Sequence, residues 1–364
     1  MKLEVLAHGT ALPLQLTIAE GVNKNLYEVL KENSSGTELG AGALFVCGTG
    51  GFTEEVLRAK LNDIAPELLS GKNLFRVAKG DLDEVRNIDE ICARHAIKHI
   101  VAVGGGRVID VAKSVKGIRN IKLTILPTAL SSDCLASPVV VIKNSARKST
   151  SMAGGMPDSI LIDTEVTRSA PALLTLSGLG DIISNSSAVL DYQEKISASN
   201  HTSSGFARIL SESAYRMVLG LERSDLVRAQ AHTRIAEGLI LSGLAMAFAG
   251  DSSPCSGAEH LISHAIDALQ IADSTHGLQV SVGTAFCMAL RLNTGSNPEA
   301  IDIVNFMRRM DLPISPSSIG VGRKSFMKAV KLAPETRFGR STILNKTWSE
   351  EDFNNAMDTV ESWV

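Results

Sequence analysis

Short apolar runs rich in β-branched residues alternate with helical stretches through the first half of this 364-residue chain, and then stop. The predicted strands are residues 43–47, 73–77, 99–103, 122–126, 138–142 and 159–163, and the helices between the first four are residues 54–61, 82–95 and 108–115. This alternation is typical of a parallel sheet with helices on both faces, because parallel strands need long crossover connections.

The second half has a different pattern. From about residue 170 the β-branched runs thin out, and we predict long helices at residues 204–221, 227–248, 258–269 and 280–292. We interpret the serine-rich patches at residues 149–151 and 197–204 as ordinary loops. A chain of this length exceeds the usual size of a single core, so two domains are expected. We place a Rossmann-like α/β domain at residues 1–169 and an all-helical domain at residues 170–364.

The composition excludes several classes of protein. A formal charge of −3 and an aromatic content of 4% give no footprint for nucleic acid. The longest weakly polar run, residues 238–250, is too short to span a bilayer, so we expect no membrane span. The first residues lack the apolar core of a signal peptide. Five widely spaced cysteines without a CxxC pair indicate reduced thiols, and we expect a cytoplasmic protein.

Three polar or glycine-rich turns follow predicted strands of the sheet. The Gly-Gly-Gly-Arg-Val-Ile-Asp turn at residues 104–110 can receive a pyrophosphate on free backbone N–H groups, although three glycines can also simply make a tight turn. The segments at residues 127–133 and 48–51 end strands at the same carboxyl edge, where open α/β sheets bind ligands. These turns predict that the α/β domain at residues 1–169 binds a dinucleotide. No acidic residue for a ribose hydroxyl is evident at residues 76–80, so NAD and NADP both remain candidates.

Carboxylate and imidazole groups in the second half are candidate metal ligands. Asp181 follows Gly-Leu-Gly, which we expect to open a helix, and His260 and His264 lie four apart, on one face of a helix. His276 ends the connection to the next helix. A catalytic site needs three protein ligands and one free position, so one of the four side chains would contact substrate or relay a proton. A histidine pair lining a core is the alternative for His260 and His264, and we treat the other five histidines as surface or structural.

Five motifs in a fixed order carry a resemblance to a known family. They are residues 104–110, residues 127–133 with Ala-Ser-Pro at 136–138, Gly-Leu-Gly-Asp at 178–181, Ser-Gly-Ala-Glu-His-Leu-Ile-Ser-His at 256–264, and His-Gly at 276–277. Together they resemble the iron-containing alcohol dehydrogenase superfamily, with its dehydroquinate synthase-like fold. The element at 256–264 and the tail Arg-Phe-Gly-Arg-Ser-Thr-Ile-Leu at 337–344 look most like sn-glycerol-1-phosphate dehydrogenases. The short spacing from His260 to His276 and the Leu-Gln pair at 278–279, where Gly-Glu is usual, depart from that pattern.

The resemblance assigns roles to individual residues. It implies that Asp181, His260 and His276 ligate a divalent metal, Zn²⁺ or alternatively Ni²⁺ or Fe²⁺. Asp133 and His264 would act catalytically and touch the substrate together with Asp181. The residues implied to contact NAD or NADP are Gly104, Gly105, Gly106, Arg107, Val108, Ile109, Asp110, Thr128, Ala129, Leu130, Ser131 and Ser137.

The activity implied is metal-dependent reduction of dihydroxyacetone phosphate to sn-glycerol 1-phosphate with NADH or NADPH. The expected partners are a small phosphorylated ketone or polyol substrate and further copies of the chain in a homo-oligomer. A glycerol or polyol dehydrogenase of the same fold is the first alternative. A sugar phosphate cyclase resembling 3-dehydroquinate synthase is the second, although that family usually has Glu at the position of Asp181. A nucleotide-binding protein without catalysis is the third.

Overall fold

A six-stranded parallel sheet forms the first half of the protein. The computed structural model describes residues 12, 15–34, 38–62, 73–143, 149–197, 204–293, 295 and 299–364. The strands are β1 (Gln15–Ala19), β2 (Ala43–Gly48), β3 (Leu74–Val77), β4 (His99–Gly104), β5 (Lys122–Pro127), β6 (Val139–Lys143), β7 (Ser149–Ala153) and β8 (Ser159–Asp163). The sheet order is β1-β8-β5-β4-β2-β3, and β6 and β7 form a separate antiparallel pair.

Helices flank this sheet and make up the second half. They are α1 (Asn23–Glu32), α2 (Gly51–Leu61), α3 (Leu82–Arg94), α4 (Gly106–Ile118), α5 (Thr164–Ser169), α6 (Ala172–Ser197), α7 (Ser204–Val218), α8 (Ala229–Ala249), α9 (Ala258–Leu269), α10 (His276–Leu292), α11 (Ala300–Arg309), α12 (Arg323–Leu332) and α13 (Glu350–Ser362). The predicted parallel α/β half and helical second half are confirmed. The division into two domains after residue 169 stays a prediction.

Burial of whole strands explains why the sequence predicted the sheet. Every residue of β4 is buried, as expected for a parallel sheet covered on both faces. From β2 the chain moves outward to β3 and then returns to the other side of β2 with β4. The strand order therefore reverses between β2 and β4. Open α/β sheets bind ligands beyond the carboxyl ends of their strands at such a switch point.

The structure corrects several local expectations. Residues 149–151, interpreted as a loop, lie in β7, because a polar strand can be stabilised by its pairing with β6. The Gly-Leu-Gly-Asp motif does not open a helix, since α6 already begins at Ala172 and the motif lies within it. The elements β1, α1, α11, α12 and α13 were not expected. The other serine-rich patch, at residues 197–204, lies mostly outside the described residues.

Helix α6 is the most buried element of the helical half. Among the described residues it is the one helix long and apolar enough to cross a membrane by length and composition. However, 83% of its apolar 18-residue stretch is buried inside the protein. Its neighbours α9 and α10 are also largely buried. One continuous apolar cluster extends from the sheet strands through these helices to α13. Polar groups on α6, α9 and α10 are therefore held in fixed positions within a packed interior.

Candidate metal and dinucleotide site

Three helices bring a carboxylate and two imidazoles together. Asp181 lies within α6, His260 lies on the first turn of α9 and His276 begins α10. One potential ligand atom from each lies within 4.8 Å of the others. The ε nitrogens of His260 and His276 lie 3.6 and 3.9 Å from Oδ1 of Asp181. Asp181 and His260 are buried, whereas 40% of the His276 side chain is exposed, so the cluster is open on one side.

Two glycines permit the close approach of α6 and α10 that this cluster needs. A Cβ on Gly180 would collide with the carbonyl oxygen of Gly277, and a Cβ on Gly277 would collide with that of Ser177. The sequence places these glycines next to Asp181 and His276 respectively. The absence of side chains at these positions thus sets the distance between the carboxylate and the second imidazole.

A buried carboxylate orients His260. Nδ1 of His260 lies 2.9 Å from Oε1 of Glu259, which also accepts a bond from the backbone N–H of Gly257. Burial opposes ionisation of Glu259, yet the hydrogen bond from His260 holds the pKa of this carboxyl below its usual value. An ionised carboxylate only accepts, so Nδ1 of His260 carries the hydrogen and its ε nitrogen faces Asp181. This is the carboxylate–histidine arrangement that supports metal ligands.

A neutral chain of hydrogen bonds orients His276. Ser263 donates its hydroxyl hydrogen to Oε1 of Gln279 at 2.7 Å, and Gln279 donates from Nε2 to Asp267 at 3.0 Å, which fixes the amide orientation. The Ser263 oxygen, 3.0 Å from Nδ1 of His276, can then only accept. Nδ1 therefore carries the hydrogen, and the ε nitrogen offers its lone pair toward Asp181. Both imidazoles keep Nδ1 on its hydrogen-bond partner and direct the ε nitrogen at Asp181, the orientation that a divalent ion requires, and the donor set fits a catalytic zinc-type site.

The carboxylate of Asp181 is held from its other side by the segment that follows β5. Oδ2 of Asp181 accepts a 2.8 Å bond from the backbone N–H of Asp133, which lies after β5. Burial raises the pKa of Asp181, but the neighbouring imidazoles of His260 and His276 hold it below its usual value. For Asp133, burial and the Asp181 charge hold the pKa well above its usual value. His260 is buried between two carboxylates, which overcome desolvation and raise its pKa to about 9.

His264 lies beside the cluster and is not among the three convergent groups. Its ring stacks on His276 with the centroids 6.4 Å apart and the planes 19° from parallel. Burial, then the positive charges of His276 and His260, lower the pKa of His264 to about 3. A neutral imidazole at this position can exchange hydrogen bonds with a bound molecule.

Glycine turns lie at the carboxyl edge of the sheet, at the switch point. Gly105 caps the N-terminus of α4, and a Cβ built on it would meet no atom of the described residues within 4 Å. The same holds for Gly50 and Gly51 at the start of α2. The first N–H groups of a helix have no intrahelical partner, so this open space borders free donors suited to a pyrophosphate. The residues fit a dinucleotide.

The other residues expected at the dinucleotide divide into two groups. Gly104, Gly106, Thr128, Ala129 and Ser131 lie at strand ends along this edge, where Thr128 N–H donates to the Gly104 carbonyl at 3.0 Å, and Ser177 of α6 donates to the Ser131 carbonyl at 3.1 Å. The side chains of Val108, Ile109, Asp110, Leu130 and Ser137 are buried. Asp110 accepts a bond from the Val141 N–H, and Ser137 bonds the Val139 backbone, so both side chains are engaged by the protein.

Among the described residues, the end of β3 offers no free carboxylate for a ribose. Glu84 lies there, but it accepts hydrogen bonds from the backbone N–H groups of Ala78, Lys79 and Gly80. The exposed guanidinium of Arg107 donates to the Ala78 carbonyl at 3.0 Å. At this end of the edge an exposed guanidinium therefore lies beside a carboxylate that is already engaged.

Several residues with clear roles in the site were not predicted from the sequence. Glu259 directly precedes His260, and its position next to a candidate ligand was a usable signal. Ser263 and Gln279 orient His276 through contacts between two helices, which no spacing in one helix indicates. Arg337 and Arg340 were noticed only as part of a motif, and both lie near His264.

Comparisons with known proteins identify relatives of this chain. Residues 17–171 match the family described as iron-containing alcohol dehydrogenase. Glycerol-1-phosphate dehydrogenase (NAD(P)+) of Archaeoglobus fulgidus is 30% identical over 334 residues, covering 92% of each chain. The enzyme of that name from Picrophilus torridus is 33% identical over 278 residues, covering 76% of this chain and 77% of the relative. Glycerol dehydrogenase from Schizosaccharomyces pombe shares the fold, with a TM-score of 0.73 and 21% identity over 97% of this chain and 90% of that chain.

Proposed function

This chain belongs to the iron-containing alcohol dehydrogenase superfamily and, within it, to the glycerol-1-phosphate dehydrogenases, and on that premise we propose that it reduces dihydroxyacetone phosphate to sn-glycerol 1-phosphate with NADH or NADPH. The observation that carries the proposal is the convergence of Asp181, His260 and His276 beside the carboxyl edge of the sheet. Three protein ligands leave one coordination position for a substrate oxygen, as in catalytic metal sites.

The metal would be Zn²⁺, or alternatively Ni²⁺ or Fe²⁺, held by Asp181, His260 and His276. When bound, the divalent ion supplies electrophilic polarisation of the carbonyl group, and the dinucleotide supplies the hydride. Glu259 and Ser263 fix the two imidazole tautomers. The backbone of Asp133 holds the carboxylate of Asp181 in place.

His264 and Asp133 are the proposed substrate-contacting side chains. His264 stays neutral and can hydrogen-bond a substrate hydroxyl on the open side of the cluster. Asp133 retains a proton because burial and the charge of Asp181 raise its pKa, so its carboxyl can donate a hydrogen bond or a proton to a substrate oxygen. This division of roles supports proton delivery from Asp133 rather than from an imidazolium at position 264.

The dinucleotide would bind with its pyrophosphate at the N-terminus of α4. Support comes from the open space at Gly105 and from the turns at the ends of β2 and β5. Because Glu84 is fully engaged by backbone N–H groups and Arg107 is exposed nearby, the site should accept the 2′-phosphate of NADPH as well as NADH. We further propose a cytoplasmic homo-oligomer.

A substrate panel tests the proposal. Metal-replete protein is incubated with NADH or NADPH and with dihydroxyacetone phosphate, dihydroxyacetone or glyceraldehyde, and cofactor oxidation is followed at several substrate concentrations. We expect dihydroxyacetone phosphate to have a kcat/KM at least about a hundredfold above that of dihydroxyacetone, since a bound phosphate makes several charge-assisted hydrogen bonds. Equal efficiencies would instead assign the protein to the polyol dehydrogenases, and stereochemical analysis of the product identifies the enantiomer.

A further inference from the structure

Two arginines meet at one hydroxyl group near the candidate metal ligands. Nη1 of Arg337 lies 2.9 Å and Nη2 of Arg340 lies 2.7 Å from Oγ of Ser252. Among the residues that the structure describes, no carboxylate oxygen lies within 4.0 Å of either guanidinium. Two like charges thus converge on a neutral acceptor, an arrangement that is unfavourable without an anion.

Hydrogen-bond donors exceed acceptors at this point. Nη1 of Arg340 is buried and has no hydrogen-bond partner in the described part of the chain. The Ser252 oxygen accepts two bonds, and its own hydrogen is directed to none of the described acceptors. Burial first, then the charge of Arg337, lowers the pKa of Arg340 to about 10. A buried donor without a partner costs stability, so what the cluster lacks is an acceptor with negative charge.

The nearest carboxylates already have other partners. Asp251 pairs with Lys195 at 2.7 Å and accepts a bond from the backbone N–H of Ser253. Glu259 holds His260, and Asp191 pairs with the buried Arg291. These acids affect the arginines only at longer range. A small anion from outside the chain remains the natural partner.

The arginine cluster lies next to the metal side of the site. Oγ1 of Thr336, which precedes Arg337, lies 3.5 Å from the carbonyl oxygen of Leu261, and Leu261 follows His260 on α9. The charges of both arginines contribute to the lowered pKa of His264, whose ring stacks on His276. The order of groups therefore runs from the metal ligands to His264 and on to the arginines.

We propose that Arg337, Arg340 and Ser252 bind the phosphate group of the substrate. This assignment rests on the proposed function for the identity of that substrate, and its chemistry is recognition of a phosphate by two guanidinium groups and a hydroxyl. Guanidinium groups present paired N–H donors that match phosphate oxygens, which makes these residues determinants of specificity for a phosphorylated ketone.

Kinetic discrimination between two ketones tests the assignment. Arg337→Gln and Arg340→Gln should each lower kcat/KM for dihydroxyacetone phosphate about 10- to 100-fold while leaving kcat/KM for dihydroxyacetone within about twofold. Metal content, measured by elemental analysis, should not change. Arg340→Lys and Ser252→Ala should lose less, because Lys keeps one charge and Ser252 supplies one neutral donor. Arg323→Gln is the matched control, since Arg323 pairs with Asp358 and Glu361 on the surface.

A binding measurement separates this assignment from the proposed function. Calorimetry with inorganic phosphate and metal-loaded protein should show binding to the wild type and to Arg323→Gln, and a loss of at least tenfold in affinity in Arg340→Gln. If the wild type reduces neither ketone, the proposed function fails, while loss of phosphate binding in Arg340→Gln still supports the anion site. Equal losses on the two ketones, or unchanged discrimination in both glutamine variants and in Arg340→Lys, would overturn the assignment.

Discussion

Single residues of the site should differ in what their removal costs. His260→Ala or His276→Ala removes one of three metal donors, so we expect loss of bound metal and of turnover. His264→Ala should keep its metal and lose about 10- to 100-fold in kcat/KM, because His264 lies beside the ligands without converging on Asp181. Elemental analysis and ketone reduction measure both effects. Full metal occupancy in His260→Ala would contradict the ligand assignment.

The buried carboxylate of Glu259 should matter through His260. Glu259→Gln keeps an oxygen for Nδ1 of His260 and for Gly257 N–H but removes the negative charge. We expect zinc affinity, measured by competition with a chelator, to fall about 10- to 100-fold, with the circular dichroism spectrum unchanged. Glu335→Gln makes the same change at an exposed position and should have no effect. Unchanged affinity in Glu259→Gln would mean that the charge does not support the ligand.

At the scale of single residues, the sequence indicated the candidate metal ligands better than the residues that orient them. Asp181, His260 and His276 could be nominated because each residue type and its glycine or helix setting indicates a ligand. The groups that orient them act across separate elements, as Ser263 of α9 does for His276 of α10. The two arginines carry no such local signal, since only the folded chain shows that they share one hydroxyl and have no carboxylate partner among the described residues.

Adding one methyl group at Gly180 tests the packing of α6 against α10. Gly180→Ala would improve helix propensity, but its Cβ would collide with the Gly277 carbonyl oxygen. We expect a net loss of about 1–3 kcal/mol in the free energy of unfolding and weaker metal binding, because the two helices must separate. Gly205→Ala, within α7 and facing open space, is the control and should be neutral or slightly stabilising. Chemical denaturation compares them, and equal stabilities would contradict this account of the helix contact.

A substitution at the N-terminus of α4 tests the dinucleotide site without disturbing the packing of the protein. Gly105→Val places a branched side chain where the protein itself leaves space, so the fold should tolerate it. The same space is where a pyrophosphate would meet the helix, and we expect at least a tenfold loss of NADH affinity with normal metal content. Fluorescence titration with NADH measures the change. Wild-type affinity in this variant would place the cofactor elsewhere.

Helices and strands were predictable where the arrangement of apolar residues in the sequence followed one clear pattern. Strands β4 and β5 are continuous apolar runs, and α9 shows a clear helical pattern, so each was found close to its observed bounds. Strand β7 is polar and depends on its pairing with β6, which is not visible in its own residues. The start of α6 was misplaced because the glycines near Asp181 suggested a turn, whereas they serve helix packing.

Whole-molecule stability should depend on pH through His99. This residue is buried at the start of β4, bonded to Thr124 at 2.9 Å, and burial lowers its pKa to about 4. The unfolded chain, with an ordinary histidine pKa near 6.5, binds a proton first as the pH falls. Stability is therefore lost between about pH 6.5 and pH 4, and we expect His99 to account for about 2 kcal/mol between pH 7 and pH 5.

Denaturant unfolding at the two pH values checks this expectation. His99→Gln keeps a polar partner for Thr124 but does not titrate, so its loss of stability between pH 7 and pH 5 should be smaller than that of the wild type by about 2 kcal/mol. Identical pH dependence in the two proteins would show that His99 is not the responsible group.

Because His260 lies between Glu259 and Asp181, metal binding should replace one cation by another: the proton on His260 leaves and the metal ion enters. With a pKa of about 9, this imidazole carries a proton at neutral pH before a metal arrives, and a lone pair becomes available only when that proton leaves. Uptake of the ion should therefore acidify a weakly buffered solution, and apparent affinity should rise about tenfold per pH unit up to about pH 9. The two buried carboxylates are thus compensated in steps, by the single charge of the imidazolium before the metal binds and by the two charges of the ion afterwards.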